Sequence, residues 1–150
     1  MEHYPKKTTK TILSRTDNLL EVREFVADAA RQFGFADEEV ANIVLAVDEA
    51  CTNIIKHAYQ YAPDKEISIS IFRNNGAFEI KIVDEGKDFN PNELRAPDLR
   101  QNLSQHRRGG LGVYLMKKLM DKVEYNFASG HKNEVSLTKY LTKRTMPVRK

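Results

Sequence analysis

Asp48-Glu49-Ala50-Cys51-Thr52-Asn53-Ile54-Ile55-Lys56-His57-Ala58-Tyr59 forms the second half of a long helical pattern. On a projection of about 100° per residue from Val40, one stripe holds Val40, Ile43, Val44, Val47, Cys51, Ile54, Ile55 and Ala58. These residues fall within roughly 60° of one direction, as a core-facing helix face should. Asp37 precedes the stripe and reads as its N-cap, and Pro63-Asp64 ends the pattern after about Tyr61. Glu49 then points about 180° and Asn53 about 220° from the stripe. Being four apart, their side chains are neighbours. A carboxylate beside a carboxamide can polarise a nucleophile and hold a divalent cation. Any amphipathic helix carries a polar face, so the pair alone selects no function. Cys51 projects into the core stripe and reads as an inert buried thiol. His57 reads as a structural histidine at the edge of the pair.

Upstream, Lys7 to Arg15 reads as a strand. Asp17 reads as an N-cap for a helix carrying Leu19, Leu20, Val22, Phe25, Val26, Ala29, Ala30 and Phe33, with Gly34 as its stop. Arg23 on that helix reads as solvated. Downstream, Ile67, Ile69 and Ile71 alternate with serines, and Phe78, Ile80 and Ile82 alternate on the far side of Asn74-Asn75-Gly76. That is a hairpin with a turn suited to positive φ. From Glu85 to Arg108 the pattern dissolves, and segments of that length in a compact domain are usually functional or disordered. A helix follows Gly109-Gly110, and Val123–Ala128 and Glu134–Leu141 read as two more strands. The order β, α, α, β, β, loop, α, β, β predicts an α+β sandwich, with helices on one face of a mostly antiparallel sheet. The Tyr and Phe residues at strand spacing read as core and not as a base-stacking platform.

Two more stretches carry chemistry. The hairpin's second strand runs into Asp84-Glu85-Gly86-Lys87-Asp88-Phe89. It delivers Asp84 to the sheet end, where a carboxylate can accept a hydrogen bond from an exocyclic amine, and Gly86 permits close backbone approach to a flat ligand. An ordinary Asp-x-Gly turn has the same sequence. Arg107-Arg108-Gly109-Gly110-Leu111-Gly112 opens a helix, where exposed N–H groups, the helix dipole and two arginines favour phosphate. Its spacing fits neither a Walker A loop nor a dinucleotide fingerprint, and a hinge into a helix is the plain alternative.

The chain has 150 residues, 41% of them hydrophobic and 30% charged, which suits a single domain. One cysteine excludes an internal disulfide framework and a zinc-finger array. No apolar run approaches a membrane span and nothing reads as a signal peptide, so the expectation is a soluble cytoplasmic protein. The formal charge of +3 resides at the ends: residues 1–10 contribute +2 and residues 143–150 contribute +4, leaving the body at −3. A body of that sign is a poor match for a nucleic-acid partner.

Glu49-x-x-x-Asn53 on a helix, then Asp84-x-Gly86 after a strand, then Gly110-x-Gly112 opening a helix, resembles the GHKL (Bergerat-fold) ATPase superfamily over roughly residues 8–141. The stretch from Asp48 to Tyr59 looks most like the bacterial anti-sigma factor serine kinases, as does Asn133-Glu134-Val135-Ser136-Leu137-Thr138-Lys139. The resemblance implies a single Bergerat-type domain, a two-layer sandwich of a mixed, mostly antiparallel sheet with helices on one face. It implies ATP and Mg²⁺ as cofactors. Glu49 would be the general base, Asn53 the Mg²⁺ ligand, and Asp84 the adenine ligand beside Gly86. Gly110 and Gly112 would line the phosphates with Arg108, and Thr138 would support the adenine side through water.

By the same resemblance the activity is phosphoryl transfer from ATP to a serine or threonine of a STAS-type anti-anti-sigma factor. The nucleotide-bound chain would sequester a sigma factor and form a homodimer, with no direct nucleic-acid or membrane partner. The alternative is a GHKL ATP-binding switch without kinase activity. Asp88 departs from the family pattern, standing where a second glycine is usual, and the lid lacks the extra glycines of many histidine kinases.

Overall fold

Alternating isoleucines set the centre of the sheet. The structure is a computed structural model describing residues 6–87, 109–127 and 132–141. In it β2 (Glu66–Asn74) and β3 (Ala77–Asp84) pair antiparallel with Ile69 opposite Ile82 and Ile71 opposite Ile80. Asn75 and Gly76 join them at φ 45° and 84°, the left-handed pair that a two-residue hairpin turn requires. β1 (Lys7–Leu13) adds to the free edge of β2. β5 (Asn133–Tyr140) adds to β3, and β4 (Lys122–Asn126) adds to β5. The order is β1-β2-β3-β5-β4. Every pairing among the described strands is antiparallel, so the mixed sheet implied by the resemblance is here an all-antiparallel one.

Period two gives the sheet an apolar and a polar face. Ile67, Ile69, Ile71, Phe78, Ile80, Ile82, Val135 and Leu137 are buried in the core beneath the helices. On the opposite face Thr9 meets Ser70 at 2.9 Å, Ser136 donates to Glu79, and Lys7 and Lys81 lie over the Phe72 ring.

The helix layer comprises α1 (Leu19–Phe33), α2 (Asp37–Asn53) and α3 (Gly109–Leu119). α2 packs against α1 on one flank and α3 on the other. Gly34 ends α1 at φ 118°, with its N–H shared between the Ala30 and Arg31 carbonyls. Phe35, in the short connector, is buried, and its ring lies 5.6 Å from Phe33 and from Phe78. The two expected caps differ. Asp17 lies inside a 3₁₀ turn, Thr16–Asn18, and makes no cap bond, while Asp37 is the first residue of α2 after Ala36. An acidic group in the first turn still meets the favourable end of the helix dipole.

Lys139 locks the layers together. It projects from β5 beside Leu137's face, donates to the Leu119 carbonyl at 2.9 Å, and pairs with Glu39 of α2 at 3.1 Å. The pair is 14% and 21% exposed, so water screens it only partly. Lys139→Met should cost about 1–3 kcal/mol, because the Glu39 carboxylate and a helix-terminal carbonyl both lose a donor. Urea unfolding of the variant and the wild type measures that difference.

Candidate functional site

The expected polar face of α2 is only partly solvated. Asn53 is 3% exposed, and Ala46 and Ala50, on the same flank of the helix, are 0% and 3% exposed. α2 sits between two helices, so burial reaches beyond the single stripe that periodicity marks. Glu49, one turn earlier, is half-buried. Asp48 beside it is taken by Arg23, whose Nε lies 2.8 Å from Oδ1. Arg23 is therefore an α1–α2 tie as well as a partly exposed arginine. The charge-assisted bond raises its already high pKa.

After Asn53 the helix widens. Ile54–Ala58 is a π turn, in which the Tyr59 N–H reaches back five residues to the Ile54 carbonyl at 2.9 Å. The regular helix thus ends at Asn53, short of the expected Tyr61. The π turn delivers the Ala58 carbonyl to the segment after β3, where it accepts from the Lys87 N–H at 2.8 Å. A Cβ at Gly86 would stand 2.6 Å from that same oxygen and 2.8 Å from the Tyr59 ring. Close approach does require glycine here, but the surface approached is the tail of α2. Tyr59 closes the junction: its hydroxyl accepts from the Glu85 N–H at 2.9 Å and donates to the Glu66 carbonyl at 2.5 Å.

Asp84 ends β3 on the helix-facing side and is 3% exposed. Its Oδ1 accepts from the Gly86 N–H and from Asn133 Nδ2, each at 2.9 Å. Asn133 Nδ2 also donates to the Gly86 carbonyl at 3.1 Å. Asn53, Asp84 and Asn133 line one narrow cleft together with Ile54, Tyr125 and Phe127. The Tyr125 and Phe127 rings stack 5.9 Å apart at 13°, and burial pushes the Tyr125 phenol up to about 12. Asn53 Nδ2 and Asn133 Oδ1 are buried, and neither has a hydrogen-bond partner among the described residues.

The fold therefore brings Asn53, Asp84 and Gly86 together, with Glu49 one turn away on α2. Gly110 and Gly112 fall in the first turn of α3, whose leading N–H groups have no intrahelical acceptor. Arg107, Arg108 and Asp88 lie outside the described residues. Thr138 is not brought to the cleft. It pairs in register with Glu79 and Lys122 on the polar face, while Asn133, Val135 and Leu137 share the helix-facing side. Odd and even positions of one strand cannot line the same face. Asn133 is the residue that sequence reading missed. Its signal was a polar side chain standing in phase with Val135 and Leu137. Tyr125 packs against the core, as its strand spacing suggests, and together with Phe127 it also lines the cleft.

Comparison with known proteins identifies the family. Residues 12–139 match the model of the histidine kinase-like ATPase domain. The chain belongs to the histidine kinase-like ATPase family. It is 30% identical over 143 residues to the serine-protein kinase RsbW of Halalkalibacterium halodurans, covering 93% of this chain and 86% of that one. RsbW of Bacillus subtilis is 34% identical over 125 residues, covering 80% of this chain and 76% of that protein. RsbW of Bacillus cereus is 32% identical over 145 residues, covering 94% and 88%. The fold matches the crystal structure of the RsbU and RsbW domains of a Mycobacterium tuberculosis protein with a TM-score of 0.66 at 15% identity. That match covers 95% of this chain and 34% of the longer one.

Two outcomes follow from this geometry. Gly86→Ala should destabilise the domain by about 1–3 kcal/mol through overpacking against the Ala58 backbone, read as a shift in the urea midpoint. His57, on the π turn, has its pKa held below 6.5 by burial and then by Lys56. The unfolded chain therefore takes up this proton first, and stability falls as pH drops from 6.5 through the lower folded value. His57→Gln should flatten that part of the melting temperature against pH curve.

Proposed function

We propose that this chain transfers the γ-phosphate of ATP to a serine or threonine of a STAS-type anti-anti-sigma factor, and that its nucleotide-bound form sequesters a sigma factor. The observation that carries this reading is the cleft at the end of β3. There the Asp84 carboxylate is held by two donors, in a chain that matches the RsbW serine-protein kinases over most of their length. ATP is the nucleotide that the ATPase family supplies. Asp84 takes the adenine amine. The first-turn N–H groups of α3, with Gly110 and Gly112 keeping the backbone bare, and Arg108 take the phosphates.

Asn53 fits a magnesium ligand. Its carboxamide is buried at the cleft, and a nitrogen without an acceptor there can exchange places with the oxygen by rotation about χ2. Mg²⁺ needs only one or two protein oxygens when phosphates and water complete its shell. Among the described residues no cluster of three His, Cys, Asp or Glu side chains could hold a metal without such help. When bound, the ion neutralises charge developing on the phosphates.

Glu49, half-buried one turn from Asn53, orients the incoming hydroxyl and accepts its proton. Retention of that carboxylate favours a kinase over a binding-only switch, which has no use for a base. The reading includes a homodimer. It places the protein in the cytoplasm, where sigma factors act, and no helix among the described residues is long and apolar enough to cross a membrane.

Incubation of Glu49→Gln with labelled ATP and the STAS partner tests the reading. ATP affinity should stay within about twofold of wild type while phosphoryl transfer falls by about 10²–10⁴. Undiminished transfer would remove Glu49 as the base. Absence of nucleotide binding by the wild type would remove the site itself.

A further inference from the structure

We propose that the basic segment after β5, residues 142–150, docks in the outer groove between α1 and α2 of its own chain. The segment reads Thr142-Lys143-Arg144-Thr145-Met146-Pro147-Val148-Arg149-Lys150 and lies outside the described residues. The proposed reaction makes no use of its four positive side chains. The inference does not depend on the nucleotide reading of the cleft.

The groove has the size and charge for such a segment. Its volume is about 990 Å³, on the solvent side of the two helices. Ala27, Val40, Val44 and Leu45 form its apolar part, and Leu45 is 41% exposed. Its charged lining is Glu24, Asp28, Asp37 and Asp48 against Arg23 and Arg31, a net of −2. Both arginines are already engaged, Arg23 with Asp48 at 2.8 Å and Arg31 with Asp28 at 3.5 Å and Asp37 at 4.0 Å. The Asp28 and Asp37 side chains nevertheless stay 71% and 100% exposed. Glu24 is exposed and makes no ion pair among the described residues. Carboxylate surface therefore remains for incoming cations.

The chain leaves β5 at one end of this groove. Leu141 lies beside Gly34, where a Cβ would stand 3.2 Å from the Leu141 side chain, and its N–H donates to the Gly76 carbonyl at 2.8 Å. Gly34 caps α1, and α2 begins at Asp37. The Arg31–Asp37 end of the groove is thus the end nearest Leu141. From Asp37 to Asp48 the groove follows α2 for about 16 Å, at 1.5 Å per residue. The nine residues after Leu141 reach about 30 Å when extended, enough to round the α1–α2 connector and follow that length. Pro147 favours an extended backbone at Met146. In an extended chain Met146 and Val148 point to the same side, with cations before and after them. That pattern suits an apolar floor between acidic walls. A short tether also raises the local concentration of the segment to about the millimolar range, so modest contacts suffice.

The test attaches a nitroxide to Val148→Cys in the full chain and reads backbone amide resonances against the reduced label. Cys51 is wholly buried, so the introduced thiol is the one that reacts. At about 0.05 M salt the Ala41 and Leu45 amides should lose most of their intensity. At about 1 M salt, where screening shortens to about 3 Å, they should recover it. Glu24→Lys combined with Asp28→Lys, at two exposed positions of α1, should abolish the loss, with circular dichroism checking the fold. Lys143→Glu, Arg144→Glu, Arg149→Glu and Lys150→Glu together should abolish it with the groove itself unaltered. No loss at Ala41 and Leu45, or a loss that survives both high salt and the reversed tail charges, would overturn the proposal. The same loss on isotope-labelled, untagged wild type mixed with unlabelled tagged chain would seat the segment on a second copy and overturn docking within one chain.

Discussion

A carboxylate buried at the end of a strand is the constraint around which this domain is arranged. Asp84 is almost wholly removed from water, and such a group is tolerated only where donors replace the water it has lost. Those donors come from two directions: the Gly86 N–H, two residues on, and Asn133 at the start of β5. Asp84 and Asn133 are partners in the β3–β5 register, so the sheet itself delivers one to the other. The same carboxamide holds the Gly86 carbonyl. One cluster thereby fixes the chain's exit from β3, the entry to β5, and the shape of the cleft between them.

The tail of α2 completes that cluster from the helix layer. The π turn at Ile54–Ala58 brings the Ala58 carbonyl to Lys87 and packs its backbone where any side chain at Gly86 would clash. Sheet end and helix tail are thus joined within a few residues of Asn53, the last residue of the regular helix. The third helix is built differently. Three of its first four residues are glycine, each lowering helix propensity by about 1 kcal/mol relative to alanine. Its other end is tied to β5 through Lys139. A first turn of bare backbone, on a helix anchored at its far end, suits N–H groups offered to an anion.

Much of this was legible in the sequence because periodicity reports burial. The isoleucine alternation around Asn74-Asn75-Gly76 specified the hairpin, and Gly34 marked the stop of α1. The stripe from Val40 to Ala58 marked the face of α2 that meets the sheet. Failures came where one chain segment meets another. A helical projection assumes one covered face, whereas α2 has neighbours on both flanks, and Asn53 is buried for that reason. Caps expected at Asp17 and Asp37 depended on where the backbone first turns helical, which a propensity does not fix to the residue. Thr138 was chosen by its motif, but its phase along β5 puts it on the far face of the sheet. Asn133, five residues earlier and in the opposite phase, faces the cleft.

By itself the sequence determined the elements, their order, the family pattern and two of the polar groups at the cleft, Asn53 and Asp84. Hydrophobic period and turn chemistry are local, and they survive in a linear string. Only the tertiary structure decided which polar groups share one cleft, which way the Asn133 carboxamide is turned, and what Gly86 must avoid. Those facts depend on strand register, on the width of a helical turn, and on contacts between residues dozens of positions apart. Pairing β3 with β5 and widening α2 at Ile54 bring Asn53, Asp84 and Asn133 to one cleft.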